Sequence, residues 1–270
     1  MSVGHYKLPR MLHPLILSNG KSRLRKDQNL CFVNSVLQIL YSIDEFRLFF
    51  LSVEAPGFSA SFPVCREIAK LFSSRGEYEV SASELRRIVG KTAQKTYLSD
   101  GGQQDAEEFL RTLFEQLKVE LPAGHTFLPI LQSFWGKEKS VRKFLDTPDG
   151  KCTRCLAYPG FSDQAFLTIK VQVPDLNFDL NLSSLVDSYF MENADEIKMK
   201  CSTCCPHPSH CPLTGICRQR PAVSQTVMTR SPKFLIIQLQ RFSGHNSPKI
   251  KTIVIPEPSL ILSNHDKFDL

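Results

Sequence analysis

No stretch of this chain approaches the roughly 18 consecutive apolar residues of a membrane span. The first twenty residues hold Lys7 and Arg10 and no sustained apolar run, so no secretory signal is read there. Ser2 stands where myristoylation needs glycine. Internal repeats and low-complexity tracts are missing, which argues against solenoids and biased linkers. The net charge is +6, yet lysine and arginine are scattered rather than massed on one stripe. Ordinary solvated surface explains that charge better than a nucleic-acid footprint does.

There is enough apolar material for a real core. The 270 residues are 42% hydrophobic and 10% aromatic. That suffices for one large domain or two modest ones. Nine cysteines form an odd count in a large chain. Four of them fall into two CxxC pairs, which reads as metal binding rather than a disulfide framework. The expected setting is intracellular, cytoplasmic or nuclear.

Residues 1–23 read as a poorly ordered leader. From Cys31 to Leu40 the pattern is helical, with Val33, Leu37 and Leu40 on one stripe. A second helix is expected over Val64–Phe72. A third is expected from Ser81, where Ser81 and Glu84 have capping-box spacing. A fourth is expected over Gln104–Leu117. After Phe134 the period becomes two, most clearly in Leu167–Val173. A short helix over Leu182–Phe190 interrupts, and strands are expected at Gln225–Thr229, Phe234–Phe242 and Ile250–Ile255. Helices first and strands later make an α+β chain rather than a βαβ alternation.

Cys31 opens the first helical pattern. A thiol there feels the positive end of the helix dipole, which favours the nucleophilic thiolate. A lone cysteine on an amphipathic helix is more often inert core, but its neighbours change that reading. Asn29-Leu30-Cys31-Phe32-Val33-Asn34-Ser35-Val36-Leu37-Gln38 resembles the cysteine box of ubiquitin-specific proteases. Gln103-Gln104-Asp105-Ala106-Glu107-Glu108-Phe109 resembles that family's second signature. Read by itself, this second stretch is a well-capped helix start whose carboxylates complement the dipole. The resemblance extends over Leu24–Leu270 and takes in Phe134-Trp135-Gly136 and the Leu-Gln-Arg241-Phe242 strand end.

The resemblance implies a papain-like cysteine-protease fold in an incomplete catalytic domain, residues 24–270. A helical subdomain, 24–130, carries Cys31. A β-rich subdomain, 131–270, carries zinc-pinned strand tips, and a cleft runs between the two. The implied reaction is hydrolysis of the isopeptide bond after the C-terminal glycine of ubiquitin, with Cys31 as nucleophile. Gln103, Gln104, Asp105 and Phe242 are the implied contacts for ubiquitin and ubiquitinated proteins. The oxyanion position departs from the pattern: Lys26 and Gln28 stand where the family has asparagine and glycine, beside Asn29. Loss of one oxyanion donor typically costs about 100- to 1000-fold in rate.

Cys152-Thr-Arg-Cys155 and Cys201-Ser-Thr-Cys204 are paired knuckles of the kind that present four thiolates to one structural Zn²⁺. Cys205, His207, His210, Cys211 and Cys217 add further candidate ligands nearby. The family's Gly-His-Tyr box and later Asp or Asn have no match here; His245 and His265 do not fit that box. The catalytic histidine and its partner are therefore expected outside these residues. A catalytically inactive ubiquitin-binding pseudoenzyme is the first alternative. A basic zinc protein that binds nucleic acid is the second, resting only on the knuckles and the charge.

Overall fold

The computed structural model describes residues 14–18, 29–52, 61–75, 79–191, 197–204, 219–242, 247–262 and 267–269. The chain divides into two compact units, Met1–Gln132 and Ser133–Leu270.

The first unit is helical: α1 (Cys31–Ser42), α2 (Asp44–Leu51), α3 (Pro63–Phe72), α4 (Ser83–Thr92), α5 (Ala106–Glu120) and α6 (Leu128–Gln132), with a 3-10 turn at Thr96–Ser99. The apolar stripe that predicts α1 is the face that is buried, through Val33, Val36, Leu37 and Leu40. Pro63 starts α3, where its missing N–H leaves no donor unpaired. Phe46 packs against Phe50, Phe72, Phe114 and Phe127, with ring centroids 5.2–6.3 Å apart, and so joins α2, α3 and α5. Glu120 at the end of α5 accepts from the backbone N–H of Val64 (2.8 Å) and Cys65 (3.0 Å). One helix thereby caps the next.

Two expectations change here. The Ser81–Glu84 capping box does not form. The helix begins at Ser83, Ser81 Oγ accepts from Ser83 N in a local turn, and Glu84 turns outward to pair with Arg87. Residues 14–18, read as leader, are tied down. Leu17 bridges Val80 in parallel, and the Asn34 and Gln38 amides donate to the carbonyls of Ser18 and Leu15.

The second unit is mostly strand: β1 (Gly136–Phe144), β2 (Gly160–Phe166), β3 (Thr168–Gln172), β4 (Leu180–Asn181), α7 (Leu182–Phe190), β5 (Ile197–Met199), β6 (Arg220–Arg230), β7 (Ile236–Gln240), β8 (Val254–Ile255), β9 (Ser259–Ile261) and β10 (Lys267–Asp269). One antiparallel sheet runs β2-β1-β6-β5. β3 pairs β7 and β4 pairs β8 in parallel, while β9 pairs β10 antiparallel. The alternation in Leu167–Val173 buries Leu167 and puts Ile169, Val171 and Val173 in the core with Leu185, Val186, Phe190 and Met228.

Gly136 sits opposite Phe166 in register, and a Cβ there would fall 2.2 Å from the Phe166 ring. That is a packing reason for the glycine after Phe134-Trp135. The strand expected over Ile250–Ile255 shortens to Val254–Ile255, because the carbonyls of Ile250 and Thr252 take the guanidinium of Arg241 instead of a ladder partner.

Candidate active site and metal centre

Cys31 is the first residue of α1 and is exposed to solvent, while Leu30 before it and Phe32 after it are buried. The sulfur is thus held at the surface by apolar anchors on both sides. Asn29 has φ 58°, the left-handed region, and its Nδ2 donates to the carbonyl of Gly101 at 3.1 Å. Phe32 meets Phe109 of α5 edge-to-face at 5.6 Å. The two signature segments, far apart in sequence, are therefore stitched together at the nucleophile end of α1.

On the other side of that seam, Asp105 is the N-cap of α5. Its side chain accepts from the N–H groups of Glu107 (2.7 Å) and Glu108 (3.1 Å). Gln104 Nε2 donates to Tyr97 O at 2.9 Å, and the Tyr97 hydroxyl donates to Glu108. Gln103 is exposed. The loop thus has a fixed frame with Gln103 and Asp105 on its outer side. Phe242, just beyond β7 in the second unit, is 60% exposed. Lys26, Gln28, His245 and His265 lie outside the described residues. His125 is the one histidine within them, and its Nδ1 accepts from Phe127 N as a local turn cap.

Sequence reasoning missed Arg86. It sits on the inward face of α4 with Ala82 and Val89 and is 1% exposed. Its place at i+4 from Ala82 and i−3 from Val89 was the available signal: an arginine on an apolar stripe asks for buried acceptors.

The metal-type cluster forms in the second unit. The ligand atoms of Cys152, Cys155, Cys201 and Cys204 lie within 4.8 Å of one another. Cys152 and Cys204 are 3.8 Å apart, Cys155 and Cys201 3.7 Å. Zn–S bonds of about 2.3 Å in a tetrahedron give S···S edges of about 3.8 Å, so the residues fit a four-thiolate Zn²⁺ site. Strand register brings the knuckles together. Phe144 ending β1 and Ile197 starting β5 both pair with Ala222 of β6, and Phe144, Ala222 and Met199 at the end of β5 pack beside the four sulfurs.

Arg220 stacks over Phe144 at 4.3 Å and holds Asp146 by two 2.6 Å bonds, closing the rim. Burial pushes the Cys152 thiol up, but the N–H groups of Cys155 and Arg154, together with hydrogen bonds from the Cys204 and Cys155 thiols, outweigh it and bring it down to about 7. Burial and the neighbouring sulfurs push Cys204 up to about 12, and burial raises Cys201 as well. One thiolate at the expense of its neighbours is what four crowded sulfurs do until a cation shares their charge. Cys205, His207, His210, Cys211 and Cys217 lie outside the described residues.

The chain as a whole matches known proteins. The family model described as ubiquitin carboxyl-terminal hydrolase matches residues 22–268. Ubiquitin carboxyl-terminal hydrolase 21 of Rattus norvegicus is 25% identical over 299 residues, covering 94% of this chain and 51% of the relative. Ubiquitin carboxyl-terminal hydrolase Usp2 of Drosophila melanogaster is 26% identical over 274 residues, covering 88% and 26%. Among solved structures, the SAGA Ubp8/Sgf11/Sus1/Sgf73 DUB module bound to ubiquitin aldehyde matches with TM-score 0.65 at 18% identity, covering 96% of this chain and 55% of that one. The α+β, papain-like expectation for the fold holds. The chain spans about half the length of the hydrolase 21 relative. No helix among the described residues is long and apolar enough to cross a membrane.

Proposed function

Because this chain belongs to the ubiquitin carboxyl-terminal hydrolase family, we propose that it is the Cys31-bearing part of a cysteine-type deubiquitinase. The observation that carries this reading is the seam at α1. An exposed cysteine at a helix start is fastened, through Asn29–Gly101 and Phe32–Phe109, to the loop that presents Gln103 and Asp105. In this reading Cys31 Sγ attacks the carbonyl carbon of ubiquitin's terminal glycine, the C–N bond to the lysine amine breaks, and water then hydrolyses the thioester. Asp105 and its neighbours hold the basic tail by charge-assisted bonds. A histidine of the family's later box takes the thiol proton and gives it to the leaving lysine amine. His125 is not that base, since its Nδ1 is already an acceptor in a local turn.

Cys152, Cys155, Cys201 and Cys204 would hold one structural Zn²⁺, whose contribution is to fix the ends of β1, β5 and β6. Lys26 at the oxyanion position supports the alternative of a ubiquitin-binding pseudoenzyme. One experiment separates the two. Ubiquitin carrying a C-terminal electrophile should form a covalent adduct with the chain, mapped by mass spectrometry to Cys31 and lost in Cys31→Ala. Tight ubiquitin binding with no adduct, both in this chain and in one extended through the family's histidine box, would favour the pseudoenzyme, and neither binding nor adduct would overturn both.

A further inference from the structure

We propose that Arg86 is a positioning residue for Cys31, bracing the nucleophile end of α1 against the Leu98–Gly102 loop. This rests on the reading of Cys31 as the nucleophile.

The geometry has three parts. Arg86 Nε donates to the carbonyl of Leu98 and Nη2 to that of Gly102 at 2.8 Å, so the guanidinium grips both ends of the loop. Gly101 between them takes the Asn29 amide. The other face of the guanidinium lies over the Phe32 ring, 5.1 Å from its centroid, and Phe32 directly follows Cys31. One planar cation therefore touches the residue after the nucleophile and the loop that receives the residue two before it. Lysine could not reproduce this, because a point ammonium lacks the rigid fork and the stacking face.

A fully buried cation is costly unless charge nearby offsets it. Burial pulls the Arg86 guanidinium below its ordinary value, while Asp100, 3.8 Å away, and Cys31 push it back up. Asp100 is itself occupied, accepting from Gly102 N at 2.8 Å. The brace holds the head of α1, and with it the sulfur, without touching substrate.

The test uses the whole chain at one fixed neutral pH, with two probes. Iodoacetamide reads Cys31 chemistry without ubiquitin, the modified peptide being quantified by mass spectrometry. Ubiquitin with a C-terminal electrophile reads maximal inactivation rate and binding separately. Arg86→Met should slow iodoacetamide at Cys31 about two- to fivefold, because the sulfur loses its fixed place at the head of α1, where a helix dipole acts on a thiol. It should also lower the maximal rate with the ubiquitin probe while leaving ubiquitin binding within about twofold, since its side chain touches no substrate. Arg86→Lys should recover neither rate, because it loses the fork and the stacking face.

Wild-type rates with both probes in a folded Arg86→Met protein would overturn the proposal. Should that variant not fold, Asn29→Ala and Phe32→Leu remove the bridge and the stacked ring in turn. A slowed maximal rate in either supports the brace, and wild-type rates in both overturn it. If the ubiquitin probe labels neither the unmutated chain nor one extended through the family's histidine box, the proposed function fails, and the iodoacetamide comparison still decides the role of Arg86.

Discussion

The proposed function puts two tasks on the Asp105 carboxylate. As N-cap of α5 it satisfies the N–H groups of Glu107 and Glu108, and in the proposed function it also meets the ubiquitin tail. Asp105→Ala removes both at once and cannot tell them apart. It should cost about 1 kcal/mol of stability through the lost cap. It should also weaken ubiquitin binding by about 1–3 kcal/mol through the lost charge-assisted bonds. Asp105→Asn separates the two, because asparagine caps nearly as well and carries no charge. The expected result is a urea midpoint close to that of the unmutated chain together with weakened ubiquitin binding by titration. Unweakened binding in Asp105→Asn would reduce the signature to a helix cap. A second residue-level expectation concerns Cys65. Burial first, then Glu120, push its thiol far up, so it should stay protonated and resist iodoacetamide while the exposed Cys31 reacts. Peptide mapping of the two sites reads this directly.

Elements with one clean face were legible from sequence, and elements without one were not. The stripes of α1 and α5 and the alternation of β3 each separate a buried face from a wet one, so periodicity finds them. α7 matches its expected span, Leu182–Phe190. In contrast, α2 has only eight residues and buries Arg47, which donates to Tyr41 O and Asp44. β1 and β2 are polar on both faces. Their inward residues include Glu138, buried at 4% exposure and satisfied by Gln164 and the Tyr189 hydroxyl. Hydrogen-bond partners from distant segments make such positions tolerable, and no local pattern reports them.

The same holds for the cap on α3. Its own N-terminus offers no side-chain cap, and the acceptor comes from Glu120 at the end of α5. Removing that carboxylate strands two N–H groups. Glu120→Ala should therefore cost about 1–2 kcal/mol of unfolding free energy, and Glu120→Gln, which keeps one acceptor oxygen, less than that. Urea unfolding followed by circular dichroism measures both. Equal stability of Glu120→Ala and the unmutated chain would show that water replaces the cap without loss.

At the scale of the whole chain, the two units rely on different sources of order. The first buries a continuous aromatic and aliphatic core built on Phe46, Phe72, Phe114 and Phe127. The second buries a core around β3 and α7, but among the described residues the far ends of β1, β5 and β6 close on a small cluster of Phe144, Met199, Ala222 and the four cysteines. Few apolar side chains lie in that cluster, so a metal at the proposed site would supply what the core does not, and its binding free energy would become folding free energy for those strand ends. The freshly purified, reduced chain should carry about one Zn²⁺ per molecule. Stripping it with a chelator should speed amide hydrogen exchange first at Phe144, Met199 and Ala222. The amides of α1, α3 and α5 should keep their protection, because cooperative units open at their own free energies. Cys152→Ser should reproduce the chelated pattern without chelator. Absence of zinc by metal analysis would sink the assignment of the knuckles. Exchange rising equally in α1 and β6 would instead show that the zinc end and the helical unit open as one. In that case the independence read from their separate cores would be wrong, while the metal site would stand.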